Sequence, residues 1–172
     1  MIARFAFIVL LSTCSAQVGA QEDVLTTFIL VRHAEKEGEN KMTGGTKDPK
    51  LSAEGMRRAE KLAALLSKTQ IDAVYSTPFA RTRLTVEPLA RFKSIPVVEY
   101  QPNNLDFIDK IAMEHKGKTI LLCGHSNTIP KIANHLTQSG KFKDFDDADY
   151  GNILIISVSS PQKSSTITWL TY

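Results

Sequence analysis

The stretch TFILVRH, residues 27–33, decides the fold. Its six-residue start, Thr27–Arg32, is a continuous apolar run that closes on a basic residue, which is typical of a fully buried strand. Helical patterns and further short apolar runs then alternate along the chain. Such alternation predicts βαβ units on a mostly parallel sheet, so the sequence indicates an α/β fold.

The other elements follow from capping residues and apolar periodicity. Strands are predicted at Ile71–Tyr75, Pro96–Tyr100, Lys118–Cys123, Ile153–Val158 and Ser165–Leu170, the last two joined by a turn around Pro161. Helices are predicted after the caps Ser52, Thr77 and Asn103, and over Ser126–Leu136. The first helix would bury Met56, Ala59, Leu62, Ala63 and Leu66. Pro88 predicts a kink or an early end in the second helix.

The bulk composition indicates one globular domain over residues 21–172, with no linker and no repeat. The net charge of +3 is mild and the basic residues are dispersed among acids, which argues against a nucleic-acid partner. Cys123 lies in an apolar strand and is expected to be a small buried residue rather than a nucleophile. The oligomeric state is not indicated.

The first twenty residues are typical of a signal peptide. Arg4 precedes an apolar run, Phe5–Leu11, and the small residues Val18–Ala20 suit cleavage before Gln21. That run is much shorter than the roughly 20 residues needed to cross a bilayer, so we expect no stable membrane insertion. The interpretation favours a periplasmic or secreted protein, with lipidation at Cys14 as the less favoured alternative.

Three polar signals fall at the carboxyl ends of predicted strands: Arg32-His33, the segment Ser76–Arg81, and Gly124-His125-Ser126. In open α/β sheets ligands bind at those ends, so these residues are expected to converge. Two Arg and two His suit a phosphate dianion and make a poor metal site, so no metal or cofactor is predicted. A neutral imidazole flanked by guanidiniums is a competent nucleophile toward phosphorus.

Each residue also has an ordinary structural interpretation. Arg81 could pair with an acid such as Glu87, and His125 could satisfy a backbone carbonyl. His115 and His135 lie on predicted helices and are assigned no chemistry. The joint occurrence at three strand ends is what favours a shared anion site.

The motifs Val31–Glu35 (VRHAE), Tyr75–Thr85 (YSTPFARTRLT) and Gly124–Thr128 (GHSNT) resemble those of the histidine phosphatase superfamily, which includes the phosphoglycerate mutases. The resemblance runs from about Thr27 to Val158. It implies a three-layer α/β/α fold with helices on both faces of the sheet. It also implies that His33 becomes phosphohistidine, and that Arg32, Arg81 and His125 bind the phosphoryl group.

Two pairs of residues depart from or extend that pattern. Thr82 and Arg83 stand where the family often has Ala and Gln, and Arg83 is expected to face water rather than the pocket. Ser126 and Asn127 would either hydrogen-bond phosphate or cap the following helix.

The general acid is not fixed by the sequence. Family members commonly use a carboxylate after the third strand, and Glu99 and Asp106 are the candidates by position. The alternatives are that Asp106 completes a helix cap, that Glu99 lies in water and that Glu35 orients neighbouring donors. A further alternative is that the chain has no dedicated acid, which suits substrates with good leaving groups.

The sequence favours a phosphomonoester hydrolase acting on a phosphorylated small molecule or envelope component. The alternatives are a phosphohistidine protein phosphatase, a phosphoglycerate-type mutase and a non-catalytic phosphate-binding module. Two segments are expected to be solvated loops: Lys36–Lys50, beside the pocket, and the acidic stretch Asp144–Asp149.

Overall fold

The computed structural model describes residues 24–38, 47–159 and 164–172. The expected signal peptide with Cys14, the turn around Pro161 and most of the glycine-containing loop after His33 lie outside the described residues. None of the helices in the described ranges is long and apolar enough to span a membrane.

Within the described residues, six strands and four helices follow one another along the chain. In order they are β1 (Leu25–Arg32), α1 (Ala53–Leu65), β2 (Ala73–Ser76), α2 (Ala80–Lys93), β3 (Val97–Glu99), α3 (Leu105–Glu114), β4 (Thr119–Gly124), α4 (Thr128–Thr137), β5 (Asn152–Ser159) and β6 (Ser165–Thr171). The sheet order is β3-β2-β4-β1-β5-β6. The first four of these strands are parallel, and β5 and β6 pair antiparallel at one side.

Strand β1 shows why the sheet needs helices on both faces. Phe28 and Leu30 pack into one buried cluster with residues of α3 and α4. Ile29 and Val31 pack into a second cluster with residues of α1 and α2. Successive side chains of a strand point to opposite faces, so a run that is apolar throughout must be covered twice. The expected three-layer α/β/α fold with a mostly parallel sheet is confirmed.

The capping residues were predicted with mixed success. Ser52 caps α1 by accepting from the Gly55 amide, as expected. The second helix begins at Ala80, after Phe79, so the prediction that Thr77 caps it was wrong. The third is capped by Asn104, one residue later than the predicted Asn103. Thr77 is instead fully buried, and its hydroxyl contacts Thr82 and His125.

Two details of helix packing also differ from expectation. Pro88 was expected to kink α2 or to end it early; α2 continues through Pro88 to Lys93, so the early end does not occur. Met56 is 43 % exposed, and Gly55 is the buried residue in that turn of α1. Gly55 lies against the backbone of Glu35, where a Cβ would collide with the carbonyl group. Close approach of α1 to the segment after β1 thus requires glycine at this position.

Candidate active site

The three polar signals meet at one edge of the sheet. In the register of β1 and β4, Arg32 lies opposite Gly124, and in that of β2 and β4, Ser76 lies opposite Cys123. The His33 amide donates to the Gly124 carbonyl at 2.9 Å, which holds the two histidine segments together. A cavity of about 500 Å³ opens there, lined by Arg32, His33, Lys36, Arg81, His125, Ser126, Asn127, Asp147 and Tyr150.

His33 forms the buried floor of this cavity, with only 6 % of its surface exposed. Its Nδ1 lies 2.8 Å from the carbonyl oxygen of Ala34. A carbonyl only accepts, so Nδ1 carries the proton and Nε2 keeps its lone pair. That leaves one ring nitrogen as an available nucleophile.

The environment of His33 keeps the ring neutral. Burial lowers its pKa to about 3; the hydrogen bond to Ala34 opposes this shift, while the charges of His125, Arg81 and Arg32 add to it. From the sequence, we expected the flanking guanidiniums to keep the His33 ring neutral, whereas desolvation is the larger cause of its lowered pKa. The imidazole is therefore neutral at mildly acidic and neutral pH.

Arg32 holds the segment that forms the opposite wall. Its Nη1 donates to the carbonyls of Asp146 and Asp149 at 2.6 and 2.9 Å, and its Nη2 to that of Asp147 at 3.1 Å. Its guanidinium carbon lies 4.2 Å from the centre of the Tyr150 ring. The Nε atom is buried and has no hydrogen-bond partner. An unpaired buried N–H is costly, so this donor is suited to a ligand oxygen in the cavity.

Arg81 enters the cavity from the first turn of α2. Its Nη2 lies 3.4 Å from His125 Nδ1, and its guanidinium covers the Phe79 ring at 4.5 Å. On its other side Nη1 lies 3.4 Å from a carboxylate oxygen of Asp48. The alternative interpretation, in which Arg81 pairs with Glu87, does not occur among the described contacts. The Arg81 guanidinium instead lines the cavity.

Asp48 was missed by the sequence analysis. Both of its carboxylate oxygens accept from the Ala80 amide, at 3.0 and 2.9 Å, so it supplies the cap that Phe79 cannot give to α2. A carboxylate at a helix N-terminus is favourable, and this one also orients Arg81. The sequence carries no local signal for this cap beyond an acidic residue in a loop, because the partner amide is 32 residues away.

His125 completes this set of side chains, and its ring centre lies 5.5 Å from that of His33. Burial, followed by the charges of Arg81 and Arg32, lowers its pKa to about 4, while Asp48 acts in the opposite direction. The Nε2 atom contacts the Thr77 hydroxyl at 3.0 Å. The alternative in which His125 bonds a backbone carbonyl is not what the structure shows.

The carboxylates proposed as general acid are not brought to the cavity wall. Glu99 is exposed and forms an ion pair with Arg83 at 3.1 Å, and Asp106 is exposed on the first turn of α3. Glu35 accepts from Nε and Nη2 of Arg58 at 2.6–2.9 Å. Burial alone would raise the pKa of Glu35, but those hydrogen bonds outweigh it and the pKa is lowered.

The acidic stretch before Tyr150 lies closer to the site than expected. Arg32 fixes its carbonyl groups, so Asp147 and Tyr150 become part of the cavity wall rather than of a remote loop. Ser126 and Asn127 also line the cavity, and Asn127 occupies the cap position of α4 without a capping side-chain bond. The sequence offered no signal for the Arg32 contact, because carbonyl groups are present at every residue.

Cys123 is fully buried, as predicted, and burial raises the pKa of its thiol. Within residues 24–38, 47–159 and 164–172, no group of three His, Cys, Asp or Glu side chains is arranged to hold a metal ion.

Comparison with known proteins supports the family resemblance of the motifs. The family model described as histidine phosphatase superfamily (branch 1) matches residues 28–103, which confirms the resemblance. The chain is 40% identical over 76 residues to phosphoserine phosphatase 1 of Hydrogenobacter thermophilus, a match covering 44% of this chain and 36% of that protein. It spans about a third of the length of the curated relatives it matches.

Solved structures share the fold over nearly their whole length. The protein histidine phosphatase SixA, complexed with tungstate, has a TM-score of 0.70 at 14% identity, covering 84% of this chain and 96% of SixA. A mycobacterial glucosyl-3-phosphoglycerate phosphatase has a TM-score of 0.69 at 12% identity, covering 86% and 98%. At these identities the similarity establishes the architecture.

Proposed function

For a chain that matches the histidine phosphatase superfamily over residues 28–103 and has the corresponding fold, we propose a phosphomonoester hydrolase working through phosphohistidine on His33. The observation that carries the proposal is the state of the His33 ring. Its Nδ1–H is held on a carbonyl at 2.8 Å, and its unprotonated Nε2 belongs to a cavity surrounded by two Arg and a second His.

The reaction follows from these groups. Nε2 of His33 attacks phosphorus, an N–P bond forms and the bond to the ester oxygen breaks. The positive charge left on the ring is shared with Nδ1–H, which the Ala34 carbonyl stabilises. Water then attacks the phosphohistidine, releases inorganic phosphate and restores the neutral ring.

The cationic side chains hold the phosphoryl group during both steps. Arg32 contributes its unpartnered Nε–H and Arg81 its guanidinium, and both are fixed by other contacts before substrate arrives. Donors that are already oriented stabilise the charge that develops in the transition state without reorganising. The fork of Arg81 also matches the geometry of phosphate oxygens, whereas that of Arg32 is bound to backbone carbonyls.

The leaving alkoxide requires a proton, and neither Glu99 nor Asp106 lines the cavity. We assign that proton to solvent, which reaches the cavity at its exposed rim of Lys36, Asn127 and Asp147. This assignment favours substrates with good leaving groups. Histidine acid phosphatase-type activity, at mildly acidic to neutral pH and without added metal, is the corresponding expectation.

The substrate we propose is a phosphorylated small molecule or envelope component. The relative named as a phosphoserine phosphatase supports a phosphorylated small molecule. The structural similarity to the protein histidine phosphatase SixA supports phosphohistidine in a protein as the second candidate. A periplasmic or secreted location, from the N-terminal twenty residues, would favour the first candidate, because phosphohistidine signalling proteins are usually cytoplasmic.

The test is to trap the phosphoenzyme. We expect the protein to hydrolyse an aryl phosphate, and rapid quenching to yield a phosphoryl label on His33 that survives alkali and is lost in acid. His33→Ala should abolish both, whereas Glu99→Gln and Asp106→Asn should retain turnover. An active His33→Ala variant would overturn the proposal, and phosphate binding without labelling would favour a binding module. Transfer of the label to a second substrate hydroxyl would indicate a mutase.

A further inference from the structure

We propose that the hydroxyl groups of Thr77 and Thr82 form a relay that positions His125, holding its proton on Nε2 and its lone pair on Nδ1. The hydroxyl relay, Thr77 and Thr82, deepens the proposed function, on which its kinetic consequences rest. Neither threonine contacts the cavity, and both are fully buried behind it. They are therefore positioning residues that act through His125.

The relay is a continuous chain of short contacts. His125 Nε2 lies 3.0 Å from Thr77 Oγ1, which lies 2.8 Å from Thr82 Oγ1. Thr82 Oγ1 in turn lies 2.8 Å from the Phe79 carbonyl and 3.0 Å from the Thr77 carbonyl. Thr77 follows β2 and Thr82 lies in the first turn of α2, so the strand, the helix and the His125 loop are joined at one point.

The direction of each bond follows from the end of the chain. Carbonyl oxygens only accept, so the single proton of the Thr82 hydroxyl points to them. Thr77 must then donate to Thr82, which leaves its lone pair toward His125. Nε2 of His125 is consequently the protonated nitrogen.

The other side of the ring requires the same tautomer. Nδ1 of His125 lies 3.4 Å from Nη2 of Arg81, and a guanidinium has no acceptor. A proton on Nδ1 would place two donors against each other. The hydroxyl relay and Arg81 thus select one arrangement from opposite sides of the ring.

The two histidines of the cavity are held in opposite tautomers. His33 keeps Nδ1–H on Ala34 and presents Nε2, whereas His125 keeps Nε2–H on Thr77 and presents Nδ1 beside Arg81. When a phosphate monoester arrives as its monoanion, Nδ1 of His125 can take the P–OH proton. The resulting N–H then donates to the phosphoryl oxygen, and Nε2–H remains on Thr77 throughout.

The direct test is the tautomer itself, read from long-range ¹H–¹⁵N NMR of the imidazoles without substrate. We expect His125 as the Nε2–H form and His33 as the Nδ1–H form. Thr77→Val removes the hydroxyl with little change of shape and should mix the His125 tautomers, while Thr77→Ser should restore one. Wild-type His125 in the Nδ1–H form, or a Thr77→Val spectrum unchanged at His125, would overturn the proposal.

Kinetics provide the second readout. Loss of one orienting hydrogen bond should lower kcat/KM for an aryl phosphate about tenfold in Thr77→Val, and Thr77→Ser should stay within about twofold of wild type. Thr26→Val is the matched control, because Thr26 is a buried hydroxyl that binds backbone groups at the opposite end of β1. Equal losses in Thr77→Val and Thr26→Val would reduce the relay to a structural role.

A third variant covers the case in which Thr77→Val does not fold. Thr82→Ala removes the acceptor of the Thr77 proton, so the Thr77 hydroxyl can turn and donate to His125 Nε2. The His125 resonances should then shift toward the Nδ1–H form, and an unshifted spectrum would contradict the relay. A protein with the expected tautomers but no phosphatase activity would overturn the proposed function and leave the relay standing.

Discussion

Replacing His33 by Gln is expected to make the folded protein less sensitive to acid. In the wild type the ring is buried beside Arg32, Arg81 and His125, and its pKa is lowered to about 3. In the unfolded chain the same imidazole titrates near its ordinary pKa of about 6.5. Below that value the unfolded chain binds a proton that the folded chain excludes, so the free energy of unfolding falls as the pH falls.

The size of the effect follows from this difference in pKa. Each pH unit below about 6.5 costs about 1.4 kcal/mol until the folded pKa is reached. Between pH 7.5 and pH 5.0 the contribution of His33 is therefore about 2 kcal/mol, a large fraction of the 5–15 kcal/mol typical of a domain. His125, whose pKa is lowered to about 4, acts in the same direction but is less buried, and it is present in both proteins.

The assay is urea unfolding of wild type and His33→Gln, followed by circular dichroism across that pH range. Gln keeps a donor for the Ala34 carbonyl and does not titrate, so the variant should gain about 2 kcal/mol relative to wild type on going from pH 7.5 to pH 5.0. Parallel stability curves for the two proteins would refute the reasoning, because they would show that the pKa of His33 is the same in the folded and the unfolded chain.

Three further outcomes are expected. Arg32→Lys keeps the charge but loses the fork that holds three carbonyls, so kcat/KM should fall at least about 100-fold, and a loss below threefold would contradict the assigned role. Cys123→Ala should keep turnover at a stability cost of about 1 kcal/mol. Because the thiol is buried and its pKa is raised, an alkylating reagent should not inactivate the folded wild type. Inactivation that Cys123→Ala prevents would indicate a reactive thiol. Gly55→Ala should cost about 1–3 kcal/mol of unfolding free energy, because the added Cβ meets the Glu35 carbonyl. Gly38 has open space around it, so Gly38→Ala should be neutral. Equal stabilities of the two variants would refute the steric overlap between residue 55 and Glu35.

Local signals fixed the elements of the fold to within a few residues. The apolar run of β1 required cover on both faces, and the alternation of strand and helix patterns required parallel crossovers. The Ser52 cap was found because its partner amide is three residues away. The Thr77 prediction failed because its hydroxyl binds His125 and Thr82, and the cap of α2 comes from Asp48 instead.

The site divides in the same way. Arg32, His33, Arg81 and His125 were identified together because strand ends of a parallel sheet meet at one edge, which is a rule of topology rather than of any single residue. The structure does not bring the general-acid candidates Glu99 and Asp106 to the cavity wall, because a position after the third strand does not fix where a side chain points. Glu99 turned to Arg83, and Glu35 to Arg58.

The sequence by itself determined which residue types stand at the sheet edge and therefore that the cavity attracts an anion. Only the tertiary structure decided the state of each group. The proton of His33 is placed by the Ala34 carbonyl, and that of His125 by the hydroxyl relay. Arg32 Nε has no partner, while backbone carbonyls from a segment more than a hundred residues away accept from both of its terminal nitrogens. Hydrogen-bond direction and burial depend on contacts between distant segments, and no local pattern encodes them.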